Sequence, residues 1–370
     1  MSTKKALVFL IFSSFLLVGG FAHAAVTSNN RYFVQSTSAF WEKSFQARNI
    51  FSSGFTADLS DWQLRLASLF GIKTQPIGEL NILASKSSQP VVTSAKADKN
   101  QVDWGVKDIY GDSQTDLPSG GEGVTVAILD TGVDSAHSDL KDRIAGCEDF
   151  TGFSSVTDNQ CADGNGHGTH VAGIVAADGG NIGNGIYGVA PEADLLILKV
   201  CSNEGSCYAD DVAAGIRYAT DAGANIILIS AGSNTSSALI DDALDYASSN
   251  GVMIITAAGN DGPYEGGLDY PAANPGVISV GAVDSTLSVA DWSSRGLNET
   301  DKAYVSEPGD IEFAAPGVNI RSTWNDGGYA TLSGTSMAAA EVAGLAAKEW
   351  QFDAKDPALA TQDILHKFSI

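Results

Sequence analysis

Three short glycine-flanked segments carry a carboxylate, an imidazole and a hydroxyl in one order along the chain. They are Asp130-Thr131-Gly132, His167-Gly168-Thr169-His170 and Gly334-Thr335-Ser336-Met337-Ala338. Those three groups together turn a serine into a nucleophile. Only five histidines occur in the chain, so one placed in such a segment is informative. A fourth group, the amide of Asn260 in Thr256-Ala257-Ala258-Gly259-Asn260, can donate to a developing oxyanion. Such a quartet serves acyl transfer through a covalent serine intermediate.

Singly, each segment has a plainer reading. Asp130-Thr131-Gly132 also matches an aspartic-protease loop, but that mechanism shares a proton between two carboxylates and needs a second such loop. Val283-Asp284-Ser285-Thr286 lacks the glycine. His167 and His170 could ligate a metal, yet there is no H-E-x-x-H, and His170 is expected to pack or bond within its helix. Gly164-Asn165-Gly166 could cradle phosphate but does not follow a strand at dinucleotide-site spacing. Ser336 alone could be a helix N-cap. Their joint occurrence in this order favours the nucleophilic set.

The elements that must position these groups follow from the apolar pattern. Continuous apolar runs recur at Val124–Leu129, Leu195–Val200, Ile226–Ile229, Val252–Ile255 and Val277–Val280. Helix-like segments alternate with them at His167–Ala177, Asp210–Asp221, Ala238–Ser249 and Thr335–Trp350. Continuous rather than alternating hydrophobicity fits strands buried on both faces. The alternation predicts an α/β fold with a doubly wound, mostly parallel sheet flanked by helices. Sites in such sheets gather at the carboxyl ends of strands, where Asp130 and Asn260 both fall.

Ahead of this body, Lys4 and Lys5 precede the apolar run Ala6–Phe21 and the small-residue signal Ala22-His23-Ala24. Residues 1–24 read as a secretory signal peptide, so the protein is expected to be secreted, extracellular or periplasmic, without a stable membrane anchor. The 346 residues that remain suit one large domain and a small one. Residues 25–85 read as a small mixed unit, with strands at Arg31–Val34 and Gly78–Leu83 and a helix over Leu59–Phe70. Ser85–Asn100, rich in Ser, Lys, Gln and Ala, reads as an exposed linker. Residues 25–98 hold 7 Lys+Arg against 5 Asp+Glu, whereas the chain from Lys99 holds 12 against 39. A slightly basic unit ahead of a strongly acidic body is suited to docking on it, and so acidic a body disfavours nucleic acid. All four cysteines lie in the body. In an exported protein they imply disulfides, and of three connectivities sequence proximity favours Cys147–Cys161 and Cys201–Cys207. Zinc is the rival, but neither pair has C-x-x-C spacing.

At the chemical residues the chain resembles the subtilisin-like serine peptidases, the subtilases. The matching segments are Val-Ala-Ile-Leu-Asp130-Thr-Gly-Val-Asp, Gly-His167-Gly-Thr-His-Val-Ala-Gly, Ala-Ala-Gly-Asn260, Ala-Ala-Pro316-Gly-Val and Gly-Thr-Ser336-Met-Ala, within roughly residues 100–365. The Asp, His, Ser order and the oxyanion asparagine are the reference case for this template in that very family. The resemblance implies Ser336 as nucleophile, His167 as general base and then acid, Asp130 as orienting carboxylate, and Asn260 with the Ser336 N–H as oxyanion donors. It implies a monomeric endopeptidase acting on proteins or peptides, with residues 99–370 as its peptidase domain. Residues 25–98 would be a ferredoxin-like α+β prosegment, an intramolecular inhibitor removed by self-cleavage between about Ala95 and Asn100.

The same resemblance places substrate-binding backbone at Ser230, Ala231 and Gly232, with Ala257, Ala258 and Gly259 lining the primary pocket. Cys201–Cys207 would stiffen the loop walling the more distant subsites. Asp261 and Asp269 near that pocket imply a basic or broad preference. Calcium is an implied structural ion, with Asp139, Asp178, Asn181 and Asn184 as oxygen donors suited to it. Two departures stand out. Ala340 and Glu341 replace the family's usual Pro-His pair, and Glu341 is expected in the first helical turn, where it favours the dipole. The chain also ends 34 residues after Ser336, sooner than is usual, which implies loss of a terminal helix. A catalytically silent scaffold is the rival class, but no member of the quartet is missing.

Overall fold

The computed structural model describes residues 30–84, 91–93, 101–112, 117–152, 157–158, 160–180, 184–263, 267–296 and 310–368. The segment 1–24, expected to be a signal peptide, and the expected cleavage segment 95–100 lie outside them.

An eight-stranded sheet forms the body. In spatial order it runs β10 (Thr157–Asp158), β9 (Ile144–Asp149), β12 (Asp194–Lys199), β8 (Thr125–Asp130), β14 (Ile226–Ile229), β16 (Met253–Ala257), β17 (Ile278–Val283) and β18 (Phe313–Pro316). β10 pairs antiparallel with β9, and the other seven strands are parallel. This is the expected doubly wound α/β sheet. Its strands read as continuous apolar runs because helices cover both faces. Val126, Ile128, Leu195, Ile197, Ile226 and Leu228 join one core with α4 (His167–Ala176) and α7 (Thr335–Lys348). Their neighbours Ala127, Leu129, Leu196, Leu198, Ile227 and Ile229 join the other with α5 (Ala209–Asp221) and α6 (Ala238–Ser249). Side chains alternate across a strand, so each strand feeds both cores. Each fully buried Leu or Ile is worth roughly 1.5–3 kcal/mol.

Shorter elements complete the body. α3 (Trp104–Ile109) follows β7 (Gln101–Val102), which pairs parallel with β11 (Ile186–Tyr187). The hairpin β19 (Ile320–Thr323) and β20 (Tyr329–Leu332) gains a third strand, β6 (Val91–Thr93). Val91–Thr93 was expected within an exposed linker; its backbone is instead paired, because the edge of β20 offers a ladder that composition does not reveal. A further helix, α8 (Pro357–Phe368), follows α7.

Residues 30–76 form a separate small layer. β1 (Arg31–Val34), α1 (Ala39–Phe45), β2 (Ile50–Phe51), β3 (Gly54–Asp58), α2 (Asp61–Leu69) and β4 (Thr74–Pro76) make an antiparallel sheet in the order β2-β3-β1-β4. That βαββαβ connectivity is the ferredoxin-like arrangement. α2 starts where Ser60 and Gln63 form a reciprocal capping box. Phe45, Phe55, Ala57, Leu59 and Ala67 give the layer its own core.

This layer docks on the body through apolar and charged contacts. Phe51 of the layer, with Ile77 and Leu80 from the segment that follows it, joins the core beside α5 and α6. Arg31 Nη1 donates to Asp210 Oδ1 (3.1 Å) and Asp211 Oδ2 (2.7 Å), in the first turn of α5. Asn49 donates to both aspartates and Thr56 Oγ1 to Asp210. Burial first, and then the neighbouring Asp210, pushes the Asp211 carboxyl up to about 7.

Candidate active site

Asp130 ends β8 at the sheet's carboxyl edge and is 1% exposed. Its Oδ1 accepts from Thr131 N at 2.7 Å. His167, the first residue of α4, brings Nδ1 to 2.8 and 2.9 Å from the two carboxylate oxygens. A proton on Nδ1 shared with Asp130 leaves Nε2 with its lone pair available. Gly168 makes the approach possible, because a Cβ there would strike Gly132 O and come within 3.2 Å of Asp130 Cβ. Asp163 ties the two loops together, accepting from Thr131 Oγ1, Gly166 N and Thr169 N. Burial alone would raise the Asp163 carboxyl, yet these donors hold it below the usual range.

Ser336 is the second residue of α7, whose leading amides lack intrahelical partners. Its Oγ donates to Ser230 O at 3.1 Å. His167 Nε2 is buried with no hydrogen-bond partner among the described residues. Asn260 Oδ1 accepts from both Thr335 N and Thr335 Oγ1 at 3.0 Å, which turns Nδ2 toward the cleft. Thr335 therefore orients the amide.

The cleft is not empty. Asn260 Nδ2 donates to Leu83 O at 2.6 Å. Leu83 follows β5 (Glu79–Ile82), which lies between β13 (Ser206–Tyr208) and β15 (Ala231–Gly232), antiparallel to both. Leu83 N extends the ladder to Ser230 O at 3.0 Å, and Ile82 N donates to Gly205 O at 3.0 Å. Leu83 is buried against the pocket wall, with Cδ1 3.0 Å from where a Gly232 Cβ would stand. Asp269 Oδ2 is 2.9 Å from that same point and 2.9 Å from the corresponding point on Gly259. Asn234, with its amide oriented by these acceptors, bridges Asp269 Oδ1 (2.9 Å) and Asp261 Oδ2 (3.2 Å). Burial, reinforced by Asp261, pushes the Asp269 carboxyl up to about 6.

A buried Asp–His pair, a serine at a helix start and an amide aimed at a peptide carbonyl are the groups that acyl transfer requires. The subtilase family model matches residues 121–367. The chain belongs to the subtilase family. It is a serine-type endopeptidase. The chain is 45% identical over 322 residues to a subtilisin of Bacillus sp. (strain TA39), covering 84% of this chain and 76% of that one. It is 36% identical over 271 residues to the major intracellular serine protease of Bacillus subtilis (strain 168), covering 72% and 79%. Among solved structures, the S41 psychrophilic protease matches with a TM-score of 0.69 at 46% identity, covering 73% of this chain and 91% of that one. Sphericase matches with a TM-score of 0.70 at 46% identity, covering 73% and 90%.

In this subtilase, Ser230, Ala231 and Gly232 flank β5 directly, while Ala257 ends β16, Asp269 N donates to Ala258 O at 3.0 Å and Asp269 Oδ2 stands beside Gly259. Cys147–Cys161 and Cys201–Cys207 are disulfides, and the second closes onto β13, beside β5. Asp269 is buried beside Gly232 and Gly259, whereas Asp261 is exposed. His170 bonds outside its helix: Nε2 donates toward Ile320 O (3.1 Å) and Ala330 O (3.2 Å), since α4 packs on that hairpin. Burial first, and then His167, lowers its pKa to about 3. Glu341 is not in the first turn of α7. It is the seventh residue and fully buried. Neither carboxyl oxygen has a hydrogen-bond partner among the described residues, and burial, with Asp103 nearby, raises its pKa well above the ordinary value.

The calcium donors fit less well. Asp139 spends its oxygens on Ser138 Oγ, Ile186 N and Tyr329 OH. Asp178 pairs with Arg143 at 3.4 Å. Asn181 lies outside the described residues, and Asn184 alone adds no cage. Calcium takes six to eight oxygens, and the described members do not form such a set. Sequence reasoning missed Thr335, Asp163 and Leu83 as site residues. The first two stand beside recognised motif positions, but the third is tied to Asn260 only through the fold.

Proposed function

We propose that this subtilase is a secreted endopeptidase made as a self-processing precursor, with Ser336 as its acyl-forming nucleophile. Ser336 Oγ turns from Ser230 O toward His167 Nε2, gives up its proton there and bonds to the substrate carbonyl carbon. The carbonyl π pair moves onto oxygen, where Asn260 Nδ2 and the Ser336 N–H stabilise it. Collapse breaks the C–N bond, and His167 returns the proton to the leaving amine. Water, activated by His167, then releases the acyl group and restores Ser336. Asp130 holds the imidazole in the required tautomer and balances its transient charge.

The observation that carries this reading is a peptide carbonyl, Leu83 C=O, held by Asn260 beside the start of α7. Residues 25–98 act as the inhibitory prosegment: the ferredoxin-like layer docks on α5 and α6 while β5 fills the cleft. The leader-like residues 1–24 support export. No helix among the described residues is long and apolar enough to cross a membrane. The test is expression of the chain beside its Ser336→Ala variant. The wild type sheds the N-terminal unit and reacts with a serine-directed fluorophosphonate, and the variant does neither. A wild type that stays full length and unlabelled refutes the reading.

A further inference from the structure

We propose that the peptide bond between Leu83 and Ala84 is the first bond this chain cuts in itself, in a primary pocket shaped for a neutral residue of leucine size. The proposal rests on the peptidase reading above and gives it a substrate register.

Four observations converge on that bond. β5 pairs in defined register on both sides, Leu80 opposite Cys207 and Ile82 opposite Ala231. The Leu83 N–H continues the ladder to Ser230 O, the same carbonyl that accepts from the Ser336 hydroxyl. Leu83 O meets the Asn260 amide and stands against Gly334, two residues before Ser336. A Cβ on Gly334 would strike that oxygen and come within 3.1 Å of Ala84 Cα, so glycine admits this peptide unit and little more. The carbonyl carbon presented to the nucleophile is therefore that of Leu83, and the amine that leaves is that of Ala84.

Burial along the segment fixes which side chains are read. Leu80 and Leu83 are 3% and 7% exposed, while Glu79 before them and Asn81 between them face solvent. Two leucines three apart anchor the strand. The cut falls 12 residues before Ala95, where the segment from about Ala95 to Asn100 was expected to be processed. It leaves Val91–Thr93 on the body side, where its backbone already pairs with β20.

The test is a timed digest of the full-length chain, read by intact mass and by N-terminal sequencing of the earliest products. The expected pair is one fragment ending at Leu83 and one beginning at Ala84. Leu83→Asp slows that cut by about 100-fold or more, because it places an uncompensated carboxylate beside Asp269. Leu83→Met stays within about threefold, as volume-conserving swaps do. Melting of both variants in the Ser336→Ala background checks that they fold, and the identity of the wild-type fragments is read independently of either. If the earliest body fragment begins between residues 96 and 101 with Leu83–Ala84 intact, and the protein still labels with fluorophosphonate, the inference falls and the peptidase reading stands. Cutting of Leu83→Asp at the wild-type rate also overturns the pocket assignment. No cut and no label overturn both.

Discussion

Replacing Arg31 by methionine removes the charge that joins the N-terminal layer to α5 while keeping most of the apolar stem. Arg31, Asp210 and Asp211 have side chains 6%, 0% and 2% exposed, so solvent screens the contacts little. Breaking a buried pair from one side typically costs 3–5 kcal/mol. Two features place this case at the low end. Asn49 and Thr56 still donate to the aspartates. Asp211, already pushed up to about 7, can neutralise by taking a proton. A loss of about 3 kcal/mol corresponds to roughly a hundredfold weaker hold on the cleaved prosegment. The readout is the lag between self-cutting and turnover of a fluorogenic peptide, which should shorten by about that factor if rebinding is unchanged. The Ser336→Ala precursor carrying the same change should still melt cooperatively. A lag within threefold of wild type, with complete cutting, would show that the network does not hold the layer in place.

Three further outcomes follow from the buried groups. Glu341 stays protonated in the native state above its ordinary 4.5, so the native chain binds more protons than the unfolded chain and stability falls as pH rises. Glu341→Gln in the Ser336→Ala background should therefore gain on its parent by about 1.4 kcal/mol per pH unit in denaturant unfolding, until the native carboxyl ionises; parallel pH profiles would contradict this. Asn260→Ala should lower kcat by about 10²–10³ with little change in KM, a magnitude whose reference case is subtilisin itself, so it is carried over within the family. Asp269 becomes anionic as pH rises through about 6, so turnover of lysine-ended relative to leucine-ended peptides should rise across that range and flatten in Asp269→Asn; equal ratios at pH 5 and 8 in the wild type count against a pocket carboxylate.

The central sheet was legible because strands covered on both faces leave uninterrupted apolar runs, as at Ile226–Ile229. β9 escaped that signal: Gly146, Cys147, Glu148 and Asp149 interrupt it. β18 is a four-residue Phe-Ala-Ala-Pro segment, too short to register. The quartet was legible because Asp130, His167, Asn260 and Ser336 each sit at an element boundary marked by glycine. Leu83 was read as the end of a strand, but its partners, Ser230 and Asn260, lie well over a hundred residues away. No local pattern encodes such a meeting. Glu341 was misplaced for a related reason: spacing locates a helix, whereas burial depends on what the rest of the fold lays over it.

The grip on β5 is made largely by backbone. β13 takes one side, β15 and Ser230 take the other, and Ile82 and Leu83 surrender their N–H groups to the ladder. Any chain entering this groove must offer about five consecutive residues as an unpaired strand, with no proline where those N–H groups are needed. Helices and interior sheet strands already spend the same groups internally. The groove thus samples looseness before it samples sequence. A compact protein would be attacked first at the loops and ends that open most readily, and its digestion would track local unfolding as much as side-chain preference.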